Sequence, residues 1–184
     1  MPNLSTSQRL SVLLALVAMI ASTRMSHFGS ANLLPDASLA MFLLGGLMLG
    51  GVSGFIVLML ATFGLDIYMA QSSAEAAWCF SPAYTGLIPT YAVLWLTGMG
   101  LAQKQRFVRP LLALAASSAA VGVAFIVSNG FFLALSGTAA PLSLGEFVLA
   151  VAPYFPAYLA SAMLYLTPAL IAAALWQKSR AIAE

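Results

Sequence analysis

Cys79 is the residue with the sharpest chemistry in this 184-residue chain. It is the single cysteine, and it lies in the run Trp78-Cys79-Phe80-Ser81-Pro82-Ala83-Tyr84. With no second thiol, an intramolecular disulfide, a thiol–disulfide relay and a cysteine-rich metal cluster are all excluded. The one histidine, His27, excludes a histidine metal cage in the same way. A lone apolar cysteine is commonly inert packing. A thiolate in a loop beside Trp78 and ahead of Pro82 is also a soft metal ligand. One thiolate cannot hold a bare ion, but it can complete the coordination of a metal already carried in a macrocycle, as thiolates do for haem iron.

Other polar residues collect near the same level. Arg24, His27, Asn32, Asp36, Asp66, Tyr68, Gln71, Glu75 and Tyr91 fall with Cys79 at the ends of apolar segments. For any one aromatic this could be an interfacial belt. As a set, three aromatics and a thiol in one short loop offer the apolar walls and few polar anchors of a binding pocket. A carboxylate at membrane depth needs a partner or a cavity. For Asp66 the candidate partners are Arg24 and His27, in a structural ion pair or a site. Pro35-Asp36-Ala37-Ser38 reads as helix-start chemistry rather than a site.

The elements that must position these residues are membrane helices. Hydrophobic residues make up 62% of the chain and charged residues 7%, with a mean hydropathy of +0.99. Soluble domains carry roughly 25% charged residues. The expected fold is all-α, a single six-helix transmembrane bundle over residues 1–184. Its spans are expected at about 10–25, 33–49, 52–68, 84–101, 111–133 and 156–176. Arg9 before Leu10–Ile20 imitates a secretory signal, but the cleavage rule is poorly met and five apolar segments follow, so an uncleaved first span is expected. Gly50-Gly51 predicts a tight turn between the second and third spans. Pro153 and Pro156 predict a loop or re-entrant turn before the last span, and Pro168 a kink within it.

Charge placement supports the count of six. One side then holds Arg9, Lys104, Arg106, Arg109, Lys178 and Arg180, which are 6 of the 7 basic residues. The other holds Asp36, Asp66, Glu75 and Glu146, which are 4 of the 5 acidic ones, together with Arg24. The positive-inside rule puts both termini in the cytoplasm and the polar rim outside. Enzyme motifs fail on inspection. Gly51-Val52-Ser53-Gly54 matches a rhomboid-protease string, but the only histidine precedes it, and the string reads as small-residue helix packing. No Walker A loop is present, so the chain does not hydrolyse ATP, and no HExxH zinc motif exists.

The layout resembles the S components of energy-coupling-factor (ECF) vitamin transporters, and within that group the BtuM family of solitary cobalamin transporters. The resemblance covers essentially the whole chain. It rests most on Arg24-Met25-Ser26-His27-Phe28, on Leu65-Asp66 and on Trp78-Cys79-Phe80-Ser81-Pro82-Ala83-Tyr84. It implies uptake of cobalamin (vitamin B12) across the bacterial inner membrane, with Cys79 as axial ligand to the cobalt. His27, Asp66, Trp78, Phe80 and Tyr84 would be its neighbours in an external pocket. Cobalamin is then cargo rather than a resident cofactor, and no protein-bound free metal is expected. A secondary activity, Cys79-dependent decyanation of cyanocobalamin, comes with the ligand role. The partners implied are the lipid bilayer and either an ECF coupling module or none, with no nucleic acid. S components usually dock through AxxxA on the first span; here only Ser11/Ala15 and Ala18/Ser22 supply small-xxx-small pairs. Competing readings are an S component for another vitamin, a thiol-dependent membrane enzyme using Cys79 with His27, and a subunit with no ligand of its own.

Overall fold

The computed structural model describes residues 4–24, 34–72, 81–103, 109–135, 137 and 142–183. His27, Trp78, Cys79 and Phe80 lie outside the described residues. All regular structure among the described residues is helical. The helices are α1 (Thr6–Arg24), α2 (Ser38–Met48), α3 (Gly51–Ser72), α4 (Leu87–Gln103), α5 (Pro110–Leu135), α6 (Leu144–Val151) and α7 (Phe155–Ala183). Short 3-10 turns at Pro82–Gly86 and Ala152–Tyr154 lead into α4 and α7.

Five helical stretches are long and apolar enough to cross a membrane: Thr6–Arg24, Gly51–Gln71, Pro82–Gln103, Pro110–Leu135 and Leu144–Trp176. Their outer faces carry the large apolar residues that a soluble protein would hide, among them Leu111, Val52 and Leu96. Lipid is the solvent such faces require. The chain is therefore built as a multi-pass membrane protein.

The sixth apolar segment takes a different form. Helix α2 has 11 residues, about 16 Å of rise against a hydrocarbon core of about 30 Å. It can be short because it does not meet lipid: Ser38 through Leu47 are all buried, packed among α1, α3, α4 and α7. Its ends are met by side chains of α1. Thr23 Oγ1 accepts from the Ala37 amide at 3.1 Å, and Arg9 Nη1 donates to the Leu49 carbonyl at 3.3 Å. The segment from Asp36 to Leu49 thus runs antiparallel to α1 over the stretch from Arg24 to Arg9, about 22 Å by helical rise.

Close approach of α2 and α4 depends on glycine. A Cβ at Gly98 would stand 2.0 Å from the Leu43 carbonyl oxygen, and one at Gly46 would stand 2.0 Å from that of Trp95. The Trp95 ring fills the space beside Gly45 and Gly54, and its Nε1 donates to the Gly51 carbonyl at 3.1 Å. Of the Gly51–Gly54 string only Gly54 takes part in this packing; Gly51, Val52 and Ser53 are exposed. Gly50 and Gly51 both adopt positive φ, 56° and 69°, and form the turn expected between α2 and α3. Pro153 and Pro156 differ from expectation. They sit in and just after a 3-10 turn that joins α6 to α7 within a near-continuous helical run, not in an open loop.

Candidate functional site

The most polar buried place among the described residues is built around Arg24, the last residue of α1. Its side chain is only 10% exposed. Nε donates to Asp66 Oδ1 at 2.5 Å and Nη2 to Asp66 Oδ2 at 2.7 Å, a bidentate pair that ties α1 to α3. Nη1 points to the start of α2 and to α4, with Asp36 Oδ2 at 3.0 Å, Ser38 Oγ at 2.9 Å and Tyr91 Oη at 3.0 Å. One guanidinium therefore joins four helices. Its fixed fork suits such a junction, where the compact ammonium of a lysine would not.

The carboxylates are closely held in turn. Asp36 Oδ1 accepts from the Ser38 amide at 2.9 Å and from its hydroxyl at 2.6 Å, so Asp36 caps the start of α2 and also pairs with Arg24. The helix-start reading of Asp36 is right but incomplete. Asp66 Oδ2 accepts a further hydrogen bond from the Tyr84 hydroxyl, which fastens the 3-10 turn before α4 to α3. Of the two partners considered for Asp66, Arg24 makes the pair; His27 lies outside the described residues. With two carboxylates and one guanidinium, the cluster carries a formal charge of −1 if both aspartates are ionised.

Aromatic rings pack around this cluster. Tyr91 stacks on Phe42 with ring centres 4.1 Å apart, and Tyr84 meets Phe63 edge-on at 4.9 Å. Tyr165 of α7 donates to the Pro35 carbonyl at 2.5 Å, closing the last helix onto the same end. Nothing in the sequence singles out Tyr165. Its neighbours Leu164 and Leu166 give no sign of a polar role, and only the fold brings it to Pro35. Helices α3 and α7 run on beyond this level: α3 continues to Ser72, and α7 begins ten residues before Tyr165, about 15 Å by helical rise.

Of the expected site residues, the structure brings Asp66 and Tyr84 into direct contact. Among the described residues no group of three or more His, Cys, Asp or Glu side chains could hold a metal ion. No protein-family model matches the chain, and no curated protein matches it.

Proposed function

We propose that the chain is a cobalamin carrier of the bacterial inner (plasma) membrane, similar to the BtuM family and built on an S-component-like bundle of six passes. In this reading α2 is the sixth pass, shortened because protein surrounds it on all sides. Both termini lie in the cytoplasm with Arg9 and the other basic ends, and the Arg24 cluster faces outward. The corrin ring enters an external pocket, and the Cys79 thiolate takes one axial position on cobalt. The observation that carries the reading is the meeting of Asp66 and Tyr84 at one end of the bundle. They come from two of the three segments on which the resemblance rests, and Arg24, of the third, binds the same carboxylate. Tyr84 also follows Cys79 by five residues, which a fully extended chain spans in about 17 Å.

The cluster suits a supporting role. Both oxygens of Asp66 are engaged within the protein. Asp66 therefore acts on a cargo through Tyr84 rather than by direct contact. For cyanocobalamin, electron donation by the thiolate assists loss of the upper ligand. An external reductant such as a reduced flavin supplies one electron, Co(III) becomes Co(II), and the ligand departs as cyanide. Passage inward is driven by a borrowed ECF coupling module or by trapping inside the cell. The small residues Ser11, Ala15, Ala18 and Ser22 form an exposed stripe on α1 where another membrane helix could approach closely. Uptake in a host without coupling-factor genes distinguishes the two sources of drive.

The test is optical. Purified protein incubated with cyanocobalamin is expected to hold a red ligand with a shifted visible spectrum, and Cys79→Ala is expected to lose the shift. If Cys79→Ala binds with the same spectrum and the same affinity, cobalt ligation by the thiol is wrong.

A further inference from the structure

The outer ends of α5 and α7 stand together beside the Arg24 cluster. Pro110–Leu135 has 26 residues, about 39 Å as a helix, against about 30 Å of hydrocarbon. With Arg109 at the inner surface, as in the proposed topology, about 20 residues cross the core, which brings Ser128 and Asn129 to its outer edge. Ser118, Gly122, Phe125 and Asn129 follow one another at spacings of four, three and four, so they share one face of α5. That face meets α7. Ser118 Oγ donates to Met163 Sδ at 3.7 Å, and a Cβ at Gly122 would stand 3.9 Å from the Phe155 ring. The Phe125 ring lies 5.2 Å, centre to centre, from both Phe155 and Tyr158. The 3-10 turn Pro82–Gly86 packs on the same end of α5, with Gly86 against Phe131.

Hydrogen bonding turns this aromatic wall into a set of acceptors. The Phe125 carbonyl accepts from Ser128 Oγ at 3.1 Å and from Asn129 Nδ2 at 2.8 Å. One backbone oxygen thus fixes both side chains. A carbonyl accepts only from the nitrogen of a carboxamide, so the orientation of Asn129 is settled, and its Oδ1 has no partner among the described residues. Ser128 gives its proton to Phe125, so in the pair of Ser128 with Tyr158 the tyrosine hydroxyl is the donor. Tyr158 Oη keeps its lone pairs and has no proton left to offer. Both Asn129 and Tyr158 are half-buried. The neighbouring charge has the same sense, since the Arg24 cluster holds two carboxylates for one guanidinium.

We propose that Asn129 and Tyr158 form a primary-amide subsite at the edge of the external pocket. Their two oxygens accept N–H groups from the rim of the cargo, and the rings packed around Phe125 supply the apolar backing. The inference rests on the cobalamin-carrier reading and deepens it: the corrin rim carries primary amides, and this wall selects them over carboxylates. An amide brings the protons that the two oxygens lack. A carboxylate brings further acceptors and a negative charge, and leaves both oxygens unmatched.

The test compares cyanocobalamin with its corrin monocarboxylates, made by mild acid hydrolysis of the rim propionamides. Each is titrated against the purified full chain as wild type, Asn129→Leu and Tyr158→Phe, and the Cys79-dependent spectral shift is recorded throughout. The wild type is expected to favour the amide form over at least one monocarboxylate by about tenfold. Each substitution is expected to weaken binding of the amide form by about 2- to 10-fold, the worth of one hydrogen bond. It is expected to leave that monocarboxylate's affinity unchanged, so the preference shrinks while the shift remains. The ratio of the two affinities is read because a general loss of folded protein lowers both alike. Repulsion by the Arg24 cluster alone gives a preference that both variants keep; that result overturns the subsite, as does a wild type with no preference for any isomer. A wild type that neither holds cyanocobalamin nor shifts its spectrum overturns the carrier reading itself, so the two failures are distinct.

Discussion

Arg24 is worth more to this protein as a junction than as one half of a salt bridge. A buried ion pair gains little over well-packed apolar residues, but removing one partner leaves a charge without compensation. Here two carboxylates depend on one guanidinium. Arg24→Gln is expected to cost about 3–5 kcal/mol, read as a large fall in the thermal unfolding midpoint in detergent. Asp36→Asn is expected to cost less, because the bidentate Arg24–Asp66 pair survives and the cluster becomes neutral; comparison of the two midpoints checks the order. Tyr84→Phe keeps the edge-on contact with Phe63 and removes one hydrogen bond to a charged acceptor. It is expected to cost about 1.5–3 kcal/mol, and in the proposed carrier to weaken cobalamin binding without abolishing the spectral shift that depends on Cys79.

At the scale of the elements, α2 and α4 form the tightest pair, and glycine sets their separation. Gly98→Ala pushes a methyl group into the Leu43 carbonyl and the Leu47 amide, which are backbone atoms that cannot swing aside. Overpacking of this kind costs about 1–3 kcal/mol or more. Gly64 in α3 and Gly100 in α4 have nothing within 4 Å of the same added carbon. Gly64→Ala and Gly100→Ala are therefore expected to be neutral or stabilising by up to about 1 kcal/mol through helix propensity. Unfolding midpoints of the three variants measured side by side test the contrast. Composition cannot separate these glycines, since all three stand in equally apolar helices. The difference appears only once a second helix is laid against the first.

For the whole molecule, the charge asymmetry between the two ends makes a direct forecast. Reporters fused to the N-terminus and to the C-terminus are both expected to read as cytoplasmic. One terminus found outside and the other inside would mean an odd number of crossings, with α2 a buried plug instead of a pass. The short, fully buried α2 is what makes this measurement informative. Five helices satisfy the length of a membrane span, and the sixth reaches from the level of Arg24 to that of Arg9 only with the chain that flanks it.

Much of this architecture was legible in the residues alone, because lipid imposes a simple rule: apolar runs must be helical and polar groups must gather at their ends. That rule placed six spans, five of which are helices long and apolar enough to cross a membrane, together with the Gly50-Gly51 turn and a polar rim containing Arg24, Asp36, Asp66, Tyr84 and Tyr91. It could not show that Arg24 pairs with Asp66, since that depends on how far the side chain reaches across to α3. Nor could it show that the second segment shortens to 11 residues, because hydropathy does not distinguish burial in protein from burial in lipid. The carbonyl that Tyr165 meets, the ring that fills the space beside Gly45 and the exposed face of α6 are likewise contacts, or absences of contact, between distant parts of the chain. They exist only once the helices have packed.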